Sequence, residues 1–369
     1  MELRVYDIKL MRLGTVDDAT SVRWRPKYYE PGEFEIHVPA TLSNILLFDY
    51  DEIIADRVNG YSGIIEGIEI EKSRSKREIT ITGRMISSIL DRRIIKGKNI
   101  FNGEVEKLMR QIIQLMEPFP GLVLGEYHGY EEKITFQATY KNVLDYMTKL
   151  SEAGNIGFRI SPDFDKKQYI FETYRGVDHT AKQHENNRVI FSENYNNLEG
   201  FTRTKNAKLY KNVMYVGGQG DSNRTITING DTMVVTDDTA DTRKILICGD
   251  DSLKGFDRRE EFLSATDVTQ DENTSESDYE QALIQRGNDK LKDDVMVDSV
   301  EGDVSPLGSF QFGKDWNIGD LVTLQMPEWN IEKDERVTEV EVIYEHGNIP
   351  TITPTFGTPV PETIDWSDN

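Results

Sequence analysis

One cysteine, Cys248, stands in 369 residues, so no intramolecular disulfide can form. Stability must come from packing, metal binding or assembly. Basic residues are scarce: 43 Lys and Arg stand against 65 Asp and Glu, a formal net charge of −22. Tight phosphate binding needs clustered Lys and Arg, which argues against DNA or RNA as a firmly held ligand. The same deficit argues against an anionic membrane surface. Long apolar runs are missing. Stretches such as Asn44-Ile45-Leu46-Leu47-Phe48 are far too short to span a bilayer, and a mean hydropathy of −0.55 marks a polar, soluble chain. The opening residues, Met1-Glu2-Leu3-Arg4-Val5-Tyr6-Asp7, lack the apolar core of a signal peptide. The expectation is synthesis in a cytoplasm without secretion by the general route.

What is present is mostly β pattern. Over residues 1–95, Phe34-Glu35-Ile36-His37-Val38, Ile68-Glu69-Ile70 and Ile79-Thr80-Ile81-Thr82 alternate with period two. Pro31-Gly32 and Asn59-Gly60 mark turns between such runs. Short helices are expected at Ser43 to Phe48 and Met85 to Leu90. Residues 96–197 change character. Val105, Leu108, Met109, Ile112, Ile113 and Met116 recur at helical spacing, ended by Pro118. A second helix is expected from Asn142 to Ala153, ended by Gly154-Asn155, then a hairpin of Ile156 to Ile160 with Gln168 to Tyr174. From Leu198 the chain returns to β. Lys211 to Val216 reads as a strand, and Asn229-Gly230 as a hairpin turn between Arg224–Ile228 and Thr232–Thr236. Residues 274–294 read as one long helix, with Ser277 and Glu280 as a capping box. Residues 357–369 read as a tail.

An internal echo links the two β regions. Ile64-Ile65-Glu66-Gly67-Ile68-Glu69-Ile70 lies on Val337-Thr338-Glu339-Val340-Glu341-Val342-Ile343 without gaps, and at the same offset Ile79-Thr80 falls on Ile352-Thr353. Asp51-Glu52-Ile53-Ile54 and Asp320-Leu321-Val322 precede each segment. We read a duplicated β-module. Chance likeness among short strands is the competing reading.

No catalytic constellation stands out, and no catalytic, cofactor-binding or metal-ligating residue is assigned. His179 and His184 are five apart, the wrong spacing to share one face of a helix, with no completing ligand. Cys248 follows Ile245-Leu246-Ile247 and reads as a core thiol. Gly217-Gly218-Gln219-Gly220 lacks the following Lys-Ser/Thr of a phosphate loop and reads as a turn needing positive φ. Asp163 and Asp165 are too few for a calcium loop. Trp24 and Phe34 are expected in the core, Tyr28 and Tyr29 at an interface. Residues 1–95 hold sixteen acids and fourteen bases, whereas Asp231 to Asp303 hold twenty-one acids and eight bases. Such a surface would repel another polyanion.

Five stretches resemble one family. Trp24-Arg-Pro-Lys-Tyr-Tyr-Glu-Pro-Gly-Glu-Phe-Glu-Ile-His-Val-Pro39 is similar to the opening of siphovirus-type tail hub proteins, as is Gly83-Arg-Met-Ile-Ser-Ser-Ile-Leu-Asp-Arg-Arg-Ile-Ile95. Trp316-Asn-Ile-Gly-Asp-Leu-Val-Thr323, Arg336-Val-Thr-Glu-Val340 and Pro354-Thr-Phe-Gly357 complete the set in the expected order. The resemblance implies a phage tail-tip or baseplate hub, a homotrimer in the virion whose subunits each give two similar tube domains to meet a six-fold tail tube. It implies as partners a distal tail or tail tube protein, and tape measure or spike proteins, with DNA only as transiting cargo. The expected fold is α+β, mainly β: a first β-barrel tube domain at 1–95, an α+β peripheral domain at 96–197, and a second tube domain at 198–356 carrying the long helix. Larger relatives carry a peptidoglycan hydrolase downstream. No such module follows here, so the expectation is a structural protein, neither enzyme nor cofactor binder. A tail-associated hydrolase and a host-glycan-binding module are the alternatives.

Overall fold

The computed structural model describes residues 2–74, 76–219, 225–229, 232–237, 244–270, 274–305 and 308–357. The first region contains β1 (Leu3–Tyr6), β2 (Arg12–Val16), β3 (Ser21–Arg25), β4 (Glu33–Pro39), β5 (Ile53–Asp56), β6 (Tyr61–Lys72) and β7 (Arg77–Met85), with the short helix α1 (Leu42–Leu47) between β4 and β5. All neighbours are antiparallel, in the order β3-β4-β7-β6-β5-β1-β2. Period-two alternation does what it predicts: in β4, Phe34, Ile36 and Val38 turn inward while Glu33, Glu35 and His37 turn outward. Leu3, Val5, Val22, Trp24, Phe34, Ile65, Ile79 and Ile81 share one core. A 3₁₀ helix, Ile86–Arg92, stands where the short second helix is expected.

The next region packs α2 (Val105–Leu115) and α3 (Val143–Gly154) on β8 (Ile94–Glu104) and β10 (Lys133–Asn142). β9 (Leu122–Leu124), β11 (Gly157–Asp163) and β12 (Gln168–Tyr174) form a small sheet beside them. α3 starts at Asn142, whose side chain accepts from the Leu144 and Asp145 amides, and stops at Asn155 in the left-handed conformation. This core is continuous with the first region, because Leu10, Ile53, Ala55, Ile64, Ile89 and Leu90 pack into it. α2 buries Glu106, whose carboxylate accepts from the amides of His128 (2.9 Å), Gly129 (2.8 Å) and Tyr130 (3.2 Å) and from the Thr173 hydroxyl (2.9 Å). The charge is thereby satisfied where an unpaired one would be prohibitive.

The last region holds β13 (Ile190–Ser192), β14 (Leu198–Asn206), β15 (Val213–Gly217), β16 (Thr225–Asn229), β17 (Thr232–Asp237), β18 (Ile245–Gly249), β19 (Glu260–Ser264), helix α4 (Glu276–Asp293), β20 (Val297–Val304), β21 (Leu321–Met326), β22 (Ile331–Glu345) and β23 (Thr351–Gly357). β16 and β17 pair as the hairpin expected there, while Arg224 and Gly230 lie outside the described residues, as do residues 358–369 of the expected tail. The helix N-cap is Ser275, which accepts from the Asp278 amide, and Ser277 lies within the first turn. Val189 and Phe191 already belong to the core built by β20–β23.

The duplication is written in the topology. The order β14-β20-β23-β22-β21 repeats β3-β4-β7-β6-β5, strand for strand in the same chain order. A bulge falls after Ile65 in β6 and after Val337 in β22. Ile65 donates to Glu52 O (2.8 Å) and accepts from the Asp51 amide (3.1 Å); Val337 donates to Asp320 O (2.8 Å) and accepts from the Gly319 amide (2.8 Å). Asp51 and Gly319 both have positive φ, 65° and 92°. These marks correct the gapless alignment by one residue. Ile65 matches Val337 and Ile68 matches Val340, whereas Ile79 still matches Ile352, and the extra residue sits in the turn 346–350 against 73–76. A one-residue slip in a strand exchanges its faces: Ile64, the gapless partner of Val337, faces the other core.

Candidate assembly surface

The two sheets are one. β22 is fifteen residues long. Its first part pairs with β21, and its end leaves that partner to pair with β3, through Val342↔Trp24, Ile343↔Arg23, Tyr344↔Val22 and Glu345↔Ser21. The joint continues beyond β3: Val340 donates to Pro26 O (3.2 Å) and the Tyr28 amide donates to Thr338 O (2.9 Å). A thirteen-stranded sheet results. Its core-facing residues at the joint are Val22, Trp24, Val342 and Tyr344; its other face is mostly polar.

Ion pairs organise that polar face. Arg25 bonds to the buried Glu339 and lies 3.2 Å from Glu33, and Arg23 lies 3.5 Å from Glu35 and 3.7 Å from Glu341. Burial pushes the Glu339 carboxyl up, and the Arg25 charge and hydrogen bond oppose this only in part. Arg84 clasps Glu66 through two bonds (2.9 and 2.8 Å) and reaches Asp91 at 3.1 Å. His37 lies between Glu35 (3.0 Å) and Glu78 (2.9 Å). Burial depresses its pKa, but these two hydrogen bonds outweigh that and raise it. Acidic side chains predominate at the joint, and most are held by a base.

The singled-out residues fall as follows. Trp24 and Phe34 are core neighbours with ring centroids 5.2 Å apart. Tyr28 corrects its expected place at an interface. It is fully buried against Gly157 and Gly319, its hydroxyl donating to Asn155 O at 3.2 Å. Tyr29 likewise donates to Asn155 Oδ1 (2.7 Å), and burial pushes its hydroxyl up to about 12. His179 engages Asn187 O (2.6 Å) and lies 3.6 Å from Asp320, whereas His184 contacts Arg188. Cys248 is buried, its thiol donating to Ile284 O (3.4 Å), and burial raises its pKa. Asp163 accepts from the amides of Asp165 and Lys166, tying a hairpin turn. Gly217 and Gly218 do not have positive φ. A Cβ on Gly218 would lie 2.2 Å from the Tyr279 hydroxyl, so close approach of α4 requires glycine there. Among the described residues no group of three His, Cys, Asp or Glu side chains could hold a metal ion, and no helix is long and apolar enough to cross a membrane.

The joint itself escaped the sequence reading. Its only local sign is the length of alternating pattern in 331–345, longer than the hairpin with 351–357 needs.

Comparison with known proteins converges on phage tails. The fold resembles the 43 kDa tail protein of prophage MuSo2 from Shewanella oneidensis, with TM-score 0.58, 11% identity, and 96% of this chain and 98% of that chain covered. It resembles the prophage tail protein gp18 of Listeria monocytogenes (TM-score 0.52, 14% identity, 96% and 94% covered). A tail protein of Neisseria meningitidis gives TM-score 0.52 at 11% identity, with 96% of each chain covered. Among curated proteins none matches this chain. The family model for Siphovirus ReqiPepy6 Gp37-like protein matches residues 2–358, and the chain belongs to that siphovirus tail protein family.

Proposed function

We propose that this chain is a structural tail protein that acts as a trimeric hub at the tail tip or baseplate. The observation that carries the reading is the repeated five-strand order, joined in one chain into one sheet. Each copy offers two related modules, β1–β7 and β13–β23, to a ring, so three copies offer six. That count meets a six-fold tail tube, and ring closure removes open sheet edges. The modules serve as the tube domains, and the helical region between them as a peripheral domain. Partners in the virion are the distal tail or tail tube protein and the tape measure or spike proteins. The acid-rich polar face of the joined sheet lines the channel, where like charge keeps transiting DNA from adhering. The role is assembly, without catalysis or cofactor.

Native mass spectrometry of the purified chain, with and without the tail tube protein, tests the reading. Three copies per particle are expected. A chain that stays monomeric under both conditions, or a peptidoglycan zymogram cleared by wild type and lost with a single carboxylate variant, would overturn it.

A further inference from the structure

The loop 125–132 between β9 and β10 has no secondary structure, yet charged side chains fix its shape. Glu106 of α2, wholly buried, is committed to the amides of His128, Gly129 and Tyr130. Arg110, one turn further along α2, donates to the carbonyls of Gly125 and Glu126, both at 3.0 Å. Glu104 at the helix N-cap accepts from the Tyr127 hydroxyl (2.9 Å). Arg175 pairs with Glu132 at 2.6 Å and lies over the Tyr130 ring. Burying a carboxylate is costly, and a bare connection between two strands does not call for one. A loop pinned in this way holds its outward side chains in one arrangement, which lowers the entropic cost of recognition.

Between this loop and α2 lies a cleft of about 340 Å³, lined by Lys107, Arg110, Gln111, Gln114, Leu124 and Tyr127. The four α2 residues stand at i, i+3, i+4 and i+7, so they share the face opposite the buried stripe. Tyr127 is 43% exposed although its hydroxyl is pinned. We infer that this cleft binds a neutral saccharide. A sugar ring has apolar C–H faces, and its hydroxyls both donate and accept. The cleft offers the Tyr127 ring to such a face, two carboxamides that donate and accept, and the N–H groups of Arg110 not used on the loop carbonyls. Charge argues against a polyanion, which needs clustered bases: Lys107 pairs with Glu104 at 2.7 Å, leaving Arg110 as the cleft cation without a carboxylate partner among the described residues. An apolar ligand would find only Leu124 and the Tyr127 ring. The volume stands at the small end of ligand clefts, ~300–1,000 Å³, which suits a mono- or disaccharide. The site belongs to the peripheral region alone, so the inference does not rest on the trimer.

Saturation-transfer difference NMR on the full chain tests it, with glucose, galactose, N-acetylglucosamine and maltose as probes. At least one of these should receive saturation and bind with a dissociation constant of roughly 1 mM. Tyr127→Ala should weaken binding by roughly tenfold or more. Tyr127→Phe, which keeps the ring and gives up only the bond to Glu104, should weaken it less. Gln111→Ala with Gln114→Ala should also weaken binding by roughly tenfold, with an unchanged far-ultraviolet spectrum. Both glutamines are exposed on α2, so this pair guards against a loop collapsed by Tyr127→Ala. Tyr50→Ala, at an exposed tyrosine of the first module, should change nothing. Saturation of none of the four probes, or binding that survives both the Tyr127→Ala and the glutamine variants, would overturn the site and leave the hub standing. A chain that stays monomeric yet binds one of these sugars through Tyr127 would overturn the hub and leave the site standing.

Discussion

The two modules share a topology and differ in how they fill it. Phe34 of β4 lies opposite Gly83 of β7, whereas at the matching pair Val300 of β20 lies opposite Phe356 of β23. The large side chain has changed strands. In the first module a Cβ on Gly83 would lie 1.9 Å from Ile64 O and 2.9 Å from the Phe34 ring, so glycine is required. In the second, Phe356 is fully buried against Phe191, at 5.5 Å between ring centroids. A core constrains the volume of a layer more tightly than the residue at each position. The modules also differ at the first hairpin. Residues 26–32 join β3 to β4, while 207–296 separate β14 from β20 and build a sheet of β15, β18 and β19 under α4. That insertion leans back on the peripheral region: Asp267 pairs with both Arg286 (2.9 Å) and Lys141 (3.1 Å), and Lys98 bonds to Thr269 O (3.0 Å). Hairpin tips tolerate such growth because the ladder behind them is undisturbed.

Substitutions can break this comparison. Phe356→Ala should cost about 3–5 kcal/mol, read from the urea midpoint at constant slope. Gly83→Ala should cost about 1–3 kcal/mol through overpacking, and adding Phe34→Val should recover part of that in a double-mutant cycle. An additive cycle would mean that the two positions do not share one volume. Arg25→Ala leaves Glu339 buried beside fewer counter-charges. Since Arg25 is partly exposed, the loss should be about 1–3 kcal/mol, and differential scanning calorimetry should show the two modules melting less cooperatively.

The buried carboxylate of the peripheral region predicts a pH effect. Burial pushes Glu106 up, but the hydrogen bonds from His128, Thr173, Tyr130 and Gly129 outweigh it and hold its pKa below the ordinary 4.5. A depressed carboxyl stabilises the fold above its unfolded value, and that contribution disappears as pH falls through the folded one. Glu106→Gln should lower stability at pH 7 by about 1–3 kcal/mol and flatten the stability profile below pH ~4.5. An unchanged acid limb would show that other carboxyls control it. The smallest effect is expected at the exposed clasp between Arg84 and Glu66: Glu66→Gln should change stability by less than ~1 kcal/mol in thermal melts.

Much was legible because local physics decided it. The stripe Val105, Leu108, Met109, Ile112 and Ile113 placed α2, and alternation placed β4 to within a residue and β7 to within three. The echo of β6 in β22 was visible because both strands carry the same pattern of inward residues. Its one-residue offset was not, since the bulge and the longer turn are backbone features without a side-chain signature. The sequence pointed to Ser277 with Glu280 as the cap of α4, whereas Ser275 takes that role by accepting from the Asp278 amide. Tyr28 read as an interface residue because the glycines that receive it, Gly157 and Gly319, are far away in sequence.

The sequence alone determined the polar, acidic character, the lack of disulfides, the mainly β composition and the existence of a repeat, because each depends on residue type and short-range spacing. Tertiary structure alone decided that the two modules are one sheet. A strand edge carries no side-chain label for its partner, and β22 finds β3 only after folding brings together residues more than three hundred positions apart.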